Sequence, residues 1–427
     1  MDKGQKVRNL FLILLTTQPT TNAPTHTRTG SREKKRHVHK AVKLTSEPIQ
    51  HETIMSELRV IISGGGTGGH IFPAISIANA IRSAHPEAKI LFIGAENRME
   101  MQRVPAAGYQ IKGLPIAGFD RKHLWKNLGV IFKIWQSRRK ARSIIREFRP
   151  QVAVGVGGYA SGPTLQVCQQ MGIPTLLQEQ NSYAGLTNKL LARHARKICV
   201  AYDGMERFFP KDRIVITGNP VRQNLIHNTY SRGSSIEELG LDRTKRTVLI
   251  IGGSLGARTL NESVLQHLDV ICKNPDVQFI WQTGKYYSQE IQERLRIAGQ
   301  PPYLKVTEFI ADMSRAYAAA DLVVSRAGAS SISEICLLGK PSILVPSPNV
   351  AEDHQTKNAQ ALVAKDAAIC VKDADAIDTL IETAIQVVGD SARLDAISAA
   401  VKQLGKPNAA DDIAKEVVAL AESYRNR

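Results

Sequence analysis

From Leu58 onward, short β-branched runs alternate with amphipathic stretches. The runs over 58–63 (LRVIIS), 89–94 (KILFIG), 151–158 (QVAVGVGG), 175–180 (TLLQEQ) and 197–202 (KICVAY) read as strands, and the pattern over 71–83 reads as a helix. This is the βαβ rhythm of a parallel sheet. A second series begins after Gly218-Asn219-Pro220, with runs at 247–253 (TVLIIGG), 277–284 (VQFIWQTG), 304–310 (LKVTEFI), 321–328 (DLVVSRAG), 341–347 (PSILVPS) and 367–371 (AAICV). The pattern predicts an α/β chain of two Rossmann-like halves with the break near residues 218–245. The domains are placed at 57–221 and 222–407, and the helical segment 408–427 is expected to pack back on the first half. Residues 1–56 are rich in Thr, Lys, Arg and His and lack apolar periodicity, so they read as a basic, disordered extension. They are either a tail that holds an anionic surface or an over-long start ahead of Met55, and the second is preferred.

A chain of 427 residues suits two domains, each with its own core. Its formal charge of +17 calls for an anionic partner, which composition alone does not choose among nucleic acid, lipid and phosphorylated substrate. Cys168, Cys199, Cys272, Cys336 and Cys370 are scattered and form no CxxC pair, which argues against a disulfide framework or a zinc site and fits a reducing cytosol. No run reaches the roughly 18–20 apolar residues of a spanning helix, so membrane contact is expected to be peripheral. The run Leu10 to Leu15 is too short for a signal core, and no clean cleavage site follows it.

The first run leads directly into Gly64-Gly65-Gly66-Thr67-Gly68-Gly69-His70, with Pro73 placed in the first turn of the following helix. Glycines let the backbone approach an anion, and the helix N-terminus supplies N–H groups and partial positive charge. The loop should hold a phosphate or a developing oxyanion. Its GxGxxG spacing also admits a dinucleotide enzyme, but that needs an acid at the end of the second strand to grip the ribose. The second run ends in glycine with Glu96 two residues on, a poor match. His70, with an ordinary pKa near 6.5, is either a general base or a capping and positioning residue.

Seven blocks then occur in one order: GGGTGGHIFPA, GVGGYASGP, QEQNSYAGLTNK, GNPVR, GGSLGA, SRAGASSISE and DHQTKNA. Together they resemble the MurG family of bacterial peptidoglycan N-acetylglucosaminyltransferases over residues 57–427. The resemblance implies a GT-B fold, two Rossmann-like domains facing a cleft. It implies inverting transfer of N-acetylglucosamine from UDP-N-acetylglucosamine to the C4 hydroxyl of the N-acetylmuramyl-pentapeptide on undecaprenyl diphosphate (lipid I), giving lipid II. No cofactor and no essential metal are implied, and the place of action is the cytoplasmic face of the plasma (inner) membrane.

Carried over by motif, donor contacts fall on Thr67, Gly68, Gly69, Asn181, Arg222, Ser254, Ile310, the run Ala329, Ser330, Ser331, Ile332, Ser333 and Glu334, and Gln355. His70 is the candidate catalytic base. Gly66, Gly157, Gly158, Tyr159 and Ser161 are assigned to the acceptor diphosphate. Several positions make sense chemically. Ser254 follows a strand in a glycine turn, as a diphosphate contact would. Glu334 can accept from two ribose hydroxyls, or can simply complement a helix dipole from the first turn. Ile310 offers only backbone groups, as an edge-on uracil contact requires. DHQTKNA carries one glutamine followed by Thr356 where some relatives carry two adjacent glutamines. The letters Asp373-Ala374-Asp375 match a metal-binding DxD, but Asp375 reads better as a helix N-cap.

Residues 121–149 hold ten Lys or Arg against one acid, Glu147, interleaved with apolar side chains. Such a segment suits a peripheral helix on anionic lipid, with Leu124, Trp125, Leu128 and Trp135 as contacts and Val130, Ile131 and Ile134 available to the core. No nucleic-acid recognition module accompanies it. The rival functions are another GT-B transferase with a lipid acceptor such as a diacylglycerol, a sugar-nucleotide epimerase, and an idle UDP-sugar-binding membrane module.

Overall fold

The computed structural model describes residues 57–116, 128–227 and 229–426. The extension over 1–56 lies outside them. The first half runs β1 (Arg59–Ser63), α1 (Gly68–Ala84), β2 (Lys89–Ala95), α2 (Glu100–Ala106), β3 (Gln110–Leu114), α3 (Leu128–Phe148), β4 (Val152–Gly155), α4 (Ser161–Gln170), β5 (Thr175–Glu179), α5 (Leu186–Leu191), β6 (Lys197–Val200) and β7 (Ile214–Ile216). Its seven parallel strands stand in the order β3-β2-β1-β4-β5-β6-β7.

The second half runs α6 (Gln223–Ile226), α7 (Arg232–Glu238), β8 (Arg246–Ile251), α8 (Arg258–Gln266), α9 (Leu268–Cys272), β9 (Val277–Gln282), α10 (Ser288–Ala298), β10 (Leu304–Thr307), α11 (Met313–Ala319), β11 (Leu322–Ser325), α12 (Ala329–Leu338), β12 (Ser342–Leu344), α13 (His354–Val363), β13 (Ile369–Cys370), α14 (Asp373–Gly389) and α15 (Ser391–Lys402), and the chain closes with α16 (Ala409–Arg425). Its six strands are parallel too, in the order β10-β9-β8-β11-β12-β13.

These topologies position the site. In each sheet the strand order reverses beside the first strand, at β1/β4 and at β8/β11, and ligands of open α/β sheets sit beyond the carboxyl ends of the strands at that point. The loops leaving β1, β4, β8 and β11 carry four of the seven motif blocks. The central strands are apolar on both faces because helices cover both: Ile61 packs with Ile145 of α3, while Val60 and Ile62 pack with Ile77 of α1.

Helix α16 buries Ile413, Val417 and Ala421 in the same cluster as Ile77 and Ile81 of α1, so it completes the core of the first half. The chain therefore passes between the halves twice, after β7 and before α16. At the first passage Gly218 has φ 84°, and a Cβ there would lie 2.4 Å from Cβ of Lys406 at the second, so only glycine lets the two passages touch.

Two local expectations are corrected. Helix α1 starts at Gly68, three residues before the expected start, so Pro73 lies inside it and removes an intrahelical donor. The N-cap of α14 is Lys372, not Asp375: both Asp373 and Asp375 lie in the first turn, favoured there by the helix dipole, and Asp373 is paired with Arg326.

Candidate functional site

The first glycine loop is built around a carboxylate. Glu100, at the start of α2 and buried, accepts from the N–H of Gly66 through Oε2 at 2.9 Å and from that of Ala95 through Oε1 at 3.0 Å. A Cβ on Gly65 would lie 2.2 Å from Glu100 Oε1, so the loop can wrap this carboxylate only as glycine. Gly66 was assigned to the acceptor diphosphate; its N–H is directed inward instead, because the buried Glu100 takes it. Thr67 is the N-cap of α1, and Gly68 and Gly69 open the helix, where N–H groups have no intrahelical acceptor.

His70 Nδ1 lies 3.1 Å from the carbonyl of Gly65 and 3.3 Å from Thr67 Oγ1. A carbonyl can only accept, so the proton sits on Nδ1 and the lone pair on Nε2. A Cβ on Gly157 would lie 2.9 Å from Nε2, which places that ring edge against the second glycine loop. The two loops are in contact, since a Cβ on Gly158 (φ 85°) would come within 2.3 Å of the Gly65 carbonyl oxygen. Burial lowers the His70 pKa below its ordinary value, the bond to Gly65 opposes this, His354 from the second half lowers it further, and Glu100 raises it.

Of the remaining acceptor residues, Tyr159 is exposed, whereas Ser161 is buried at the start of α4 and its hydroxyl donates to the Ser63 carbonyl at 3.4 Å. That hydroxyl is turned into the sheet, which leaves the backbone at the opening of α4 as what this residue can offer an anion.

The donor residues group at β8/β11. Ser254 is exposed in the turn after β8. Ala329, Ser330 and Ser331 form the first turn of α12, where the Ser330 hydroxyl is buried with no protein partner. Ile332 points into the core, and Ile310 borders the same cluster. Ser333 Oγ donates to the Ala329 carbonyl at 2.8 Å. Gln355 Oε1 accepts from the Ser347 N–H at 2.8 Å, which holds the amide and leaves Nε2 to donate elsewhere.

Glu334 lies in the second turn of α12, not the first, so the helix-dipole role does not apply. It is buried. Arg222 reaches its Oε1 from Nε at 2.9 Å and from an Nη at 2.8 Å, and the Tyr317 hydroxyl donates to Oε2 at 3.0 Å. Burial raises its pKa, and Arg222 and Tyr317 pull it back. Arg222 thus neutralises Glu334 rather than standing alone to meet a diphosphate.

Between these groups lies a polar network that sequence reasoning missed. Glu179, buried at the end of β5, accepts four hydrogen bonds, from the N–H and amide of Asn181, the N–H of Gly185 and the amide of Asn188. Asn358 of α13 accepts from the Ser182 N–H at 2.9 Å and donates to Asn181 Oδ1 at 3.1 Å. Asn219 donates to the Gln180 carbonyl at 2.9 Å and to Ser333 Oγ at 3.0 Å. Asn181 is therefore held on both sides, as a bridge between the halves.

On α3, Ile134, Ala141, Ile144 and Ile145 are buried, while Phe132 and Trp135 are 58% and 56% exposed and stacked with centroids 6.1 Å apart. Lys140 is taken by Glu96 at 2.7 Å. Leu124 and Trp125 lie outside the described residues, as do the side chains of Leu128, Val130 and Ile131.

Residues 60–200 match the Glycosyltransferase family 28 N-terminal domain and 247–415 its C-terminal domain. The chain is 64% identical over 365 residues to the UDP-N-acetylglucosamine–N-acetylmuramyl-(pentapeptide) pyrophosphoryl-undecaprenol N-acetylglucosamine transferase of Bacteroides fragilis, covering 86% of this chain and 96% of that protein. It is 64% identical over 367 residues to the Bacteroides thetaiotaomicron enzyme of the same name, covering 86% and 99%. Among solved structures, Acinetobacter baumannii MurG superposes with a TM-score of 0.67 at 26% identity, over 85% of this chain and 99% of that one. Two Rossmann-like halves, joined where the segments after β5 and β7 meet helices α12 and α13, define a GT-B glycosyltransferase. Within that class, the chain belongs to the MurG family.

Proposed function

We propose that this protein transfers N-acetylglucosamine from UDP-N-acetylglucosamine to the C4 hydroxyl of the N-acetylmuramyl-pentapeptide of lipid I, with inversion, to give lipid II. The observation that carries the reading is the pairing of two switch-point sites: one presents a neutral histidine, the other a buried carboxylate beside a helix N-terminus. Direct displacement at the anomeric carbon needs both a base for the incoming hydroxyl and stabilisation of the departing diphosphate. In this reading His70 Nε2 takes the C4 hydroxyl proton as that oxygen attacks the anomeric carbon and the bond to UDP breaks. The turn at Ser254 and the first turn of α12 hold the leaving diphosphate, Glu334 the ribose, the Ile310 backbone the uracil and Gln355 Nε2 the sugar. The Gly157-Gly158 backbone and the opening of α4 receive the acceptor diphosphate.

Incubation with UDP-N-acetylglucosamine and a soluble lipid I analogue should release UDP and form the disaccharide lipid. UDP binding without transfer would identify an idle binding module, and transfer only to a diacylglycerol another lipid glycosyltransferase. Because Asp373 is engaged by Arg326, transfer is expected to persist in excess EDTA; complete loss restored by a divalent ion would overturn this.

The acceptor's lipid tail calls for a membrane surface, and no described helix is long and apolar enough to cross one. Phe132 and Trp135, exposed beside Lys133 and Arg139, supply an apolar and cationic face for anionic lipid. The protein should float with anionic but not neutral vesicles. Phe132→Asp combined with Trp135→Ala should weaken this binding by roughly tenfold or more; unchanged flotation would place the contact elsewhere.

A further inference from the structure

At the two passages of the chain between the halves, taken together as the hinge, lies a cavity of about 750 Å³ whose lining includes none of the donor residues Ser254, Ile310, Glu334 and Gln355. Its volume falls within the roughly 300–1,000 Å³ of small-molecule sites. Of the donor run it touches only Ile332 and Ser333. Its walls include Ile216, Leu362 and Leu404, and Arg207, Lys357, Lys365 and Lys406 line it against the single acid Asp203.

The cations are only partly committed: Lys365 stands 3.4 Å from Asp203, and Lys357 donates to the Glu352 carbonyl while lying 3.3 Å from the Tyr183 ring centroid. Excess cations and apolar walls together select an organic anion with an apolar body.

We propose that this cavity is a second ligand site, for an organic anion with an apolar or aromatic body, and that its occupancy sets the angle of the hinge. Both passages between the halves form part of its wall, through Gly218 and Asn219 at one and Gln403, Leu404 and Lys406 at the other. A ligand seated there acts on how the switch-point loops approach each other, from behind the helix that follows β11. The site stands independently of the acceptor's identity.

The probe is anilinonaphthalene sulfonate, titrated by fluorescence with UDP at saturation so that the donor site is blocked. One saturable equivalent is expected. Lys365→Glu with Lys406→Glu should weaken it at least tenfold while leaving transfer without probe unchanged, and Leu404→Trp, which fills the wall without altering charge, should weaken it likewise. In the wild type the probe should change kcat without competing with the UDP-sugar. Probe binding that UDP displaces, or that survives both variants, would overturn the proposal.

Discussion

Replacing His70 with alanine is expected to lower the turnover of sugar transfer by roughly 10²-fold or more while leaving UDP affinity nearly unchanged. The expectation rests on the tautomer. With Nδ1–H committed to the Gly65 carbonyl, Nε2 carries a lone pair at the contact between the two glycine loops, where the acceptor hydroxyl is proposed to arrive. Burial holds the pKa below its ordinary value, so the ring is neutral and able to accept a proton at pH 7. It follows that kcat/KM should rise with pH through that lowered pKa and be flat by neutrality; a profile still climbing above about pH 7.5 would indicate another base. A positioning role is separated by His70→Asn, whose amide can still donate to Gly65 but cannot take the proton. Near-normal turnover in the asparagine variant would reduce His70 to a loop anchor, and near-normal turnover in the alanine variant would remove it from the mechanism.

The strands that proved easiest to read are those whose burial leaves nothing to alternate. Val60, Ile61 and Ile62 are covered on both sides, and the apolar run says so. The two strands missed, β3 and β7, are the edges of the first sheet: Gln110 to Leu114 mixes exposed with buried positions, and Ile214 to Ile216 is only three residues long with Ile216 half exposed. Edge strands carry weaker patterns because one side has no neighbour.

Within the site, the glycine loops, His70 and Glu334 could be singled out from the sequence because each belongs to a recognisable block that follows a strand. The partners that give them their chemistry were not. Asn358 meets Ser182, and Asn219 meets Ser333, across long sequence separations with no local signal. Glu179 did leave one: a carboxylate closing a strand that is buried throughout is costly to bury and must find donors. Glu100 left none, being an ordinary acid on a short helix until the fold wraps the glycine loop around it.

Replacing Glu334 with alanine is expected to raise the KM for the UDP-sugar by roughly 10- to 150-fold, the equivalent of about 1.5–3 kcal/mol for hydrogen bonds to a charged group. In this structure Arg222 reaches Oε1 through two nitrogens and Tyr317 donates once to Oε2, so Oε2 retains a lone pair for a ribose hydroxyl. The protein partners orient the carboxylate, and Arg222 balances its charge in a buried setting. Alanine would also leave Arg222 and Tyr317 unpaired, so a raised KM alone does not separate recognition from architecture. Glu334→Gln, which preserves shape, and Tyr317→Phe, which preserves the Arg222 pair, divide the two roles. The decisive comparison is a donor with 2′-deoxyribose. If Glu334 accepts from the ribose, the wild type should discriminate against that donor, Tyr317→Phe should retain most of the discrimination, and the Glu334 variants should lose it. A Glu334→Ala protein that still discriminates, while melting at a lower temperature, would show that the carboxylate serves only to tie Arg222 and Tyr317 together and that the ribose is held elsewhere.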